Sequence, residues 1–338
     1  MSFLFPSGRK SAFAATLAVA VFCCAAAFGQ AQASGSSDDQ NPTETVKVRV
    51  NGVQVFFNVK DKKGALIPKL TQDEFEILED GKPQTVKYFA AETNLPLTLG
   101  MLIDSSGSQK EVLDMEKVVG GAFLKQILTD KDQAYVMSFD VTSDLLQNYT
   151  NDTRRLQNAL NKAKINTGFT GIPGMGEPIP IHNAPGTVLY DAVYLSSHDM
   201  LAKEIGRKAM ILLTDGQDEG SKLKVRDAIE AAQKADAIVY VLLCADRGFR
   251  SFGYSGEGEM KKLTEQTGGR VINVGNKVDK LRDAFEQIGA ELRSQYNIGY
   301  TPTNDKLDGT FRKIEIKSKQ SYKIQVRGGY YAGGGDQD

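Results

Sequence analysis

Between Leu95 and Ser294 the chain alternates buried-looking apolar runs with helical periodicity, and this rhythm limits the architecture more than any other feature. The runs "LTLGMLI", "AYVMSFD", "KAMILLT" and "AIVYVLL" read as strands buried on both faces, with "GRVINV" as a shorter one. Between them, apolar side chains recur at helical spacing: Val112, Met115, Val119, Phe123 and Ile127; Leu156, Leu160 and Ala163; Ala228, Ala231 and Ala232; and Leu281, Phe285, Ile288 and Leu292. Strand–helix alternation of this kind predicts an α/β fold, a doubly wound, mostly parallel, Rossmann-like sheet with helices on both faces. "SDLLQNY" follows "AYVMSFD" too closely for a crossover and reads as an antiparallel edge hairpin.

The flanks have a different period. From Val46 the chain alternates with a period of two, and "FEILEDGKPQTVKYFA" carries an Asp80-Gly81 turn signal. After the last helix, "YNIGYTP", "FRKIEIKSK" and "YKIQVRGGYYA" return to alternation. Either set alone buries too little surface to fold, so residues 45–92 and 295–332 are expected to build one small antiparallel β module around the α/β domain at 95–294. Two Gly- and Pro-rich stretches, 165–186 and 245–258, interrupt the rhythm and are expected to ring the functional face.

The first residues read as an address. Arg9 and Lys10 precede the apolar run "SAFAATLAVAVFCCAAAFG", and Ala31 and Ala33 supply the small residues of a cleavage site. Residues 1–33 are therefore expected to be a signal peptide and 34–44 a disordered leader. The exported chain would be periplasmic, cell-surface or extracellular and would carry no membrane span. Cleavage near Ala33 leaves Cys244 as the one cysteine, in an apolar run where a buried thiol is expected. The balance of 41 Lys plus Arg against 42 Asp plus Glu argues against a nucleic-acid partner.

In an open parallel sheet, ligands bind beyond the carboxyl ends of strands, where strand order reverses. "DSSGS" lies just past such an end, and Asp104, Ser106 and Ser108 alternate so that their oxygens can converge. "ILLTDGQDEGS" brings Asp215 to the same edge, and "NAPGTVLYDAV" offers Thr187 at a helix start. For Thr187 a second role, helix N-cap, competes for the same hydroxyl. Asp218 and Glu219 read as a solvated helix start, and Asp140 as a hydrated residue or an outer support of the site. Two carboxylates and three hydroxyls suit a hard divalent cation, Mg2+ first, with Mn2+ or Ca2+ also compatible.

These three pieces, in this order, resemble the metal-ion-dependent adhesion site of von Willebrand factor type A domains. The whole chain resembles a secreted acidobacterial family related to them. The resemblance implies that Ser106, Ser108 and Thr187 touch the cation directly and that Asp104 and Asp215 act largely through water. A protein partner's Asp or Glu carboxylate would fill the open position. Function is then expected to be cation-dependent capture of a protein partner, in adhesion or assembly. Two other readings stay open: a cell-envelope protein whose cation only stabilises the fold, and a metal-dependent hydrolase. No catalytic residues are expected. The histidines, His182 and His198, have no recognisable nucleophile motif beside them, and no Walker-type loop is present.

Overall fold

A computed structural model describes residues 52–91, 95–166, 186–244 and 256–333. All of them belong to one compact unit, Arg49–Asp338. The expected signal peptide and leader, His182, and most of both Gly-rich stretches lie outside the described residues.

The described chain opens with β1 (Val53–Lys60), β2 (Phe75–Glu79), β3 (Lys82–Pro83) and β4 (Val86–Ala90). There follow β5 (Leu97–Asp104), α1 (Leu113–Ile127), β6 (Gln133–Phe139), β7 (Ser143–Thr150), α2 (Thr153–Lys162) and α3 (Leu189–Leu195), which passes into a π turn at Ser196–Met200. Next come β8 (Arg207–Thr214), α4 (Val225–Lys234), β9 (Ala237–Leu243), α5 (Glu257–Thr267), β10 (Val271–Asn273) and α6 (Val278–Arg293). The last strands are β11 (Tyr296–Tyr300), β12 (Phe311–Ser318), β13 (Lys323–Val326) and β14 (Gly329–Tyr331).

Six strands form the α/β sheet in the order β10-β9-β8-β5-β6-β7, parallel except for β7. The short "SDLLQNY" connection does make the antiparallel edge that its spacing predicted. β5 is buried along all eight residues, which is why it shows no alternation in sequence. Leu99, Met101 and Ile103 face one core with Phe123 and Phe285, while Leu102 faces a second core with Leu212 and Val193. From β5 the chain moves to β6 on one side, and from β8 to β9 on the other. The loops after β5 and β8 therefore diverge and leave a crevice at the carboxyl edge.

The flanking strands share sheets. β1 lies between β11 and β13, with β4 beyond β11, and a second sheet runs β14-β12-β2-β3. Phe57, Tyr296 and Ile298 of the first sheet pack with Phe75, Ile77, Ile314 and Ile316 of the second. The Phe57 and Phe75 rings meet edge to face at 5.2 Å. The small core is thus assembled from both ends of the chain, because neither end has enough apolar area alone. α6 is tied to this sandwich near its C-terminus: Asn58 Nδ2 donates to the Glu291 carbonyl at 2.8 Å, and Lys60 Nζ sits 2.9 Å from the Glu291 carboxylate. Among the described residues no helix is long and apolar enough to cross a membrane.

Candidate metal centre

β5 ends in Asp104, whose side chain is fully buried. The Ser105 amide keeps the chain on β6 for one further residue by donating to the Phe139 carbonyl at 2.8 Å. The Ser106 amide then folds back and donates to Asp104 Oδ1 at 2.9 Å. A 3-10 turn follows at Gly107–Gln109. This path places the hydroxyls of Ser106 and Ser108 3.0 Å apart, both partly open to solvent, with Asp104 beside them. The alternation read from the sequence therefore does bring the two serines side by side.

The second arm is the end of β8. Thr214 Oγ1 donates to Asp104 Oδ2 at 2.6 Å, and the Gly216 amide donates back to Thr214 Oγ1 at 3.0 Å. Gly216 has φ +85°, the left-handed conformation that glycine adopts without strain. Asp215, in between, accepts from the Gln217 amide at 3.0 Å. Gln109 locks the first two arms together. With its amide oriented to satisfy both partners, it accepts from the Asp215 amide at 3.1 Å and donates to the Cys244 carbonyl at 3.2 Å.

Thr187 is held by backbone pairing with the loop after β8. Its carbonyl accepts from the amides of Glu219 and Gly220 at 3.1 and 3.2 Å, and the Val188 amide donates to the Asp140 carbonyl at 2.7 Å. Gly186 is required by this approach, since a Cβ there would fall 2.2 Å from the Glu219 Cβ. The N-cap of α3 is Val188, with no side-chain cap of its own. The Tyr190 amide instead donates to Asp218 Oδ1 at 3.2 Å, across the loop. Asp218 thus does the capping work that competed for Thr187, and the Thr187 hydroxyl stays outside that role.

Asp218 consequently departs from the solvated helix start expected of it. α4 begins only at Val225, and Asp218 is half-buried, held also by the Ser221 hydroxyl at 2.5 Å. Asp191 reciprocates by accepting from the amides of Lys222 and Leu223 at 3.0 and 2.9 Å. Asp140 is more than a hydrated residue as well. Its carboxylate accepts from Ser105 Oγ at 3.3 Å while its carbonyl holds Val188, so it bridges the first and third arms.

The electrostatics of this edge are unbalanced. Burial pushes the Asp104 carboxyl up to about 7, and the negative charge of Asp215 adds to the effect. A second raised acid is Glu116, on the first turn of α1, fully buried and without a nitrogen or oxygen hydrogen-bond partner. Burial raises Glu116 to about 8; the Cys244 thiol beside it pulls the other way, and Asp104 and Asp215 raise it further. The Cys244 thiol, buried as expected, is itself raised, first by burial and then by Glu116.

Among the described residues no three His, Cys, Asp or Glu side chains converge as a ligand group. The donor chemistry is instead that of paired hydroxyls beside a buried carboxylate, with a second carboxylate at the neighbouring strand end. That set fits a hard divalent cation, which favours neutral and anionic oxygens together. His198 lies elsewhere, half-exposed, stacked on Tyr194 and paired with Asp199 at 2.8 Å.

Glu116, Gln109, Asp218 and Asp191 were all missed by the sequence reading. Glu116 had a legible signal: it stands three residues after Leu113 and seven before Phe123, an acid on the buried stripe of a helix. The other three act across the fold and carry no local mark.

No family model matches the sequence, and no curated protein matches it. Solved structures similar to this chain include the conserved hypothetical protein BatB from Bacteroides thetaiotaomicron, at 18% identity and TM-score 0.42, covering 59% of this chain and 100% of that one. Another is proximal thread matrix protein 1 from the mussel byssus with a zinc-occupied MIDAS motif, at 15% identity and TM-score 0.47, covering 64% of this chain and 50% of that one. A third is the vWF domain of the type V pili tip protein Mfa5 from Porphyromonas gingivalis, at 13% identity and TM-score 0.43, covering 59% of this chain and 96% of that one. The structures to which this chain is similar thus include vWF-type domains, and its functional reading rests on the side chains described above.

Proposed function

We propose that the α/β unit is a von Willebrand factor type A-like module of an exported protein. In this reading Asp104, Ser106, Ser108, Thr187 and Asp215 hold a divalent cation, Mg2+ first, and the protein captures a partner through that partner's Asp or Glu carboxylate. The observation that carries the reading is the Ser106–Ser108 hydroxyl pair, at 3.0 Å and partly open to solvent, beside the fully buried Asp104. When bound, a cation there would supply a Lewis-acidic position for an outside carboxylate.

Each arm has a distinct task. Ser106 and Ser108 offer neutral oxygens, so they add no negative charge to the site. Asp104, already accepting from Thr214 and the Ser106 amide, keeps lone pairs for a water or the ion. Asp215 brings the second carboxylate, and Thr187 a third hydroxyl. With Asp104 and Asp215 acting mostly through water, the cation keeps its positive field on the open side, where a partner's carboxylate would bind. The proposed domain plan keeps residues 1–33 as signal peptide, 34–44 as leader, 95–294 as the cation-binding domain, and 45–92 with 295–332 as the β frame. The protein is read as non-enzymatic.

The test is capture of an immobilised acidic peptide by the full chain with Mg2+ or Mn2+, with chelator, and after Asp104→Ala or the milder Ser106→Ala. Capture that needs the cation and fails in both variants supports the reading. Capture equal under all conditions overturns it. A cation-dependent rise in Tm without any capture favours the purely stabilising role.

A further inference from the structure

We propose that Glu116 is the counter-charge of the cation site, a buried carboxyl that shares the charge of the bound ion without ligating it. The inference rests on the cation-binding reading above and assigns a sixth side chain to that site.

Three observations lead there. Glu116 is 0% exposed, and its carboxyl oxygens have no nitrogen or oxygen hydrogen-bond partner, with only the weakly donating Cys244 thiol beside them. A buried carboxyl without such partners is destabilising even when neutral. A leucine would continue the stripe of Leu113, Val119, Phe123 and Ile127 without that cost, so packing alone does not account for an acid here. The groups that act on it are Cys244 from the end of β9, Asp104 from β5 and Asp215 after β8, together with Lys117 on its own helix. Lys117 is engaged by Asp114 at 3.3 Å. Among the described residues, the groups that act on Glu116 from the ends of three neighbouring strands are two acids and a thiol, and the one cation that acts on it is already paired.

The fold neutralises a buried acid elsewhere in the ordinary way, with Lys60 and Arg270 around Glu291. Around Glu116 the described residues supply no such partner, and a proton or an outside cation would relieve it. Fully buried on α1, Glu116 acts through the field rather than as a ligand. Its charge falls off slowly in this dry layer, where the effective dielectric is far below that of water.

The experiment measures Mn2+ affinity of the full chain and of Glu116→Gln by electron paramagnetic resonance of free Mn2+, with Tm in chelator as the fold control. Glutamine keeps the shape and removes the charge. The expected result is an affinity loss of about tenfold or more, with a chelated Tm no lower than wild type. Glu116→Leu is expected to lose affinity to the same degree, because charge is what both variants lack. Unchanged Mn2+ affinity in Glu116→Gln overturns the inference while leaving the site intact. A loss of affinity that comes with a lower chelated Tm marks a structural role and also overturns it. A wild-type chain that takes up no Mn2+ overturns both the site and this residue's part in it.

Discussion

The two ends of the α/β sheet treat buried acids in opposite ways. At the amino ends of the strands, Glu291 is 2% exposed and fully engaged: Lys60 Nζ at 2.9 Å, Arg270 at 2.8 Å and Gln325 Nε2 at 3.2 Å. At the carboxyl ends, Asp104 is equally buried but is held by hydroxyls and an amide rather than by a cation, and Glu116 has only the Cys244 thiol beside it. One acid is paid for within the chain. The other two are left in a state that an external cation, or a proton, would relieve. Internal pairing suits a joint that holds α6 to the β sandwich; its absence suits a place that takes charge from solution.

The comparison breaks first at Glu291. Replacing it with Ala removes the shared partner of Lys60 and Arg270 in a part-buried joint, where breaking a buried pair costs up to about 3 to 5 kcal/mol. Denaturant unfolding should show this loss equally with and without chelator, since the joint is remote from the cation. A loss that depended on Mn2+ would merge the two regions.

The pH response of the metal-free protein should be next in size. Glu116 and Asp104 have folded values raised above those of the unfolded chain, to about 8 and about 7. The folded state therefore binds more protons between those limits, and stability must fall as pH rises from about 4 to about 8. The decline should amount to several kcal/mol in chelator, and Glu116→Gln should remove about half of it. A flat profile from pH 5 to 8 would show that these acids are already compensated.

Cation linkage comes third. At a hundredfold excess over its Kd, Mn2+ should stabilise the wild type by about 2.7 kcal/mol, seen as a rise in Tm, and Asp104→Ala should abolish the rise. Asp218→Ala should have the smallest effect, about 1 kcal/mol, from loss of the acceptor for the Tyr190 amide at the start of α3. If Asp218 also holds Thr187 in place, Mn2+ affinity should weaken in that variant more than its stability does.

Much of this was legible in sequence. The apolar runs mark five strands because parallel strands buried on both faces need no alternation, and the stripes mark the helices that cover them. Asp104, Ser106 and Ser108 were legible as one arm because their convergence is local, enforced by an amide two residues away. The capping of α3 by Asp218 was not legible, for the pair is 28 residues apart and spans two connections. Gln109 was invisible for the same reason: its partners are backbone groups at the ends of β8 and β9. Thr187 sat between these cases. Its position at a helix start was readable, but which of two roles its hydroxyl plays depended on whether another side chain reached the helix.

By itself, the sequence determined the alternation of elements, the strand that bears the site and the oxygen-rich character of its loop. Those properties follow from periodicity and from contacts within a few residues. Tertiary structure alone decided that the flanking strands share two sheets, that Asp218 relieves Thr187 of capping, and that Glu116 is buried without a nitrogen or oxygen partner while Glu291 is neutralised. The reason is that the charge state of a buried acid depends on what the fold packs around it, and those neighbours come from anywhere along the chain.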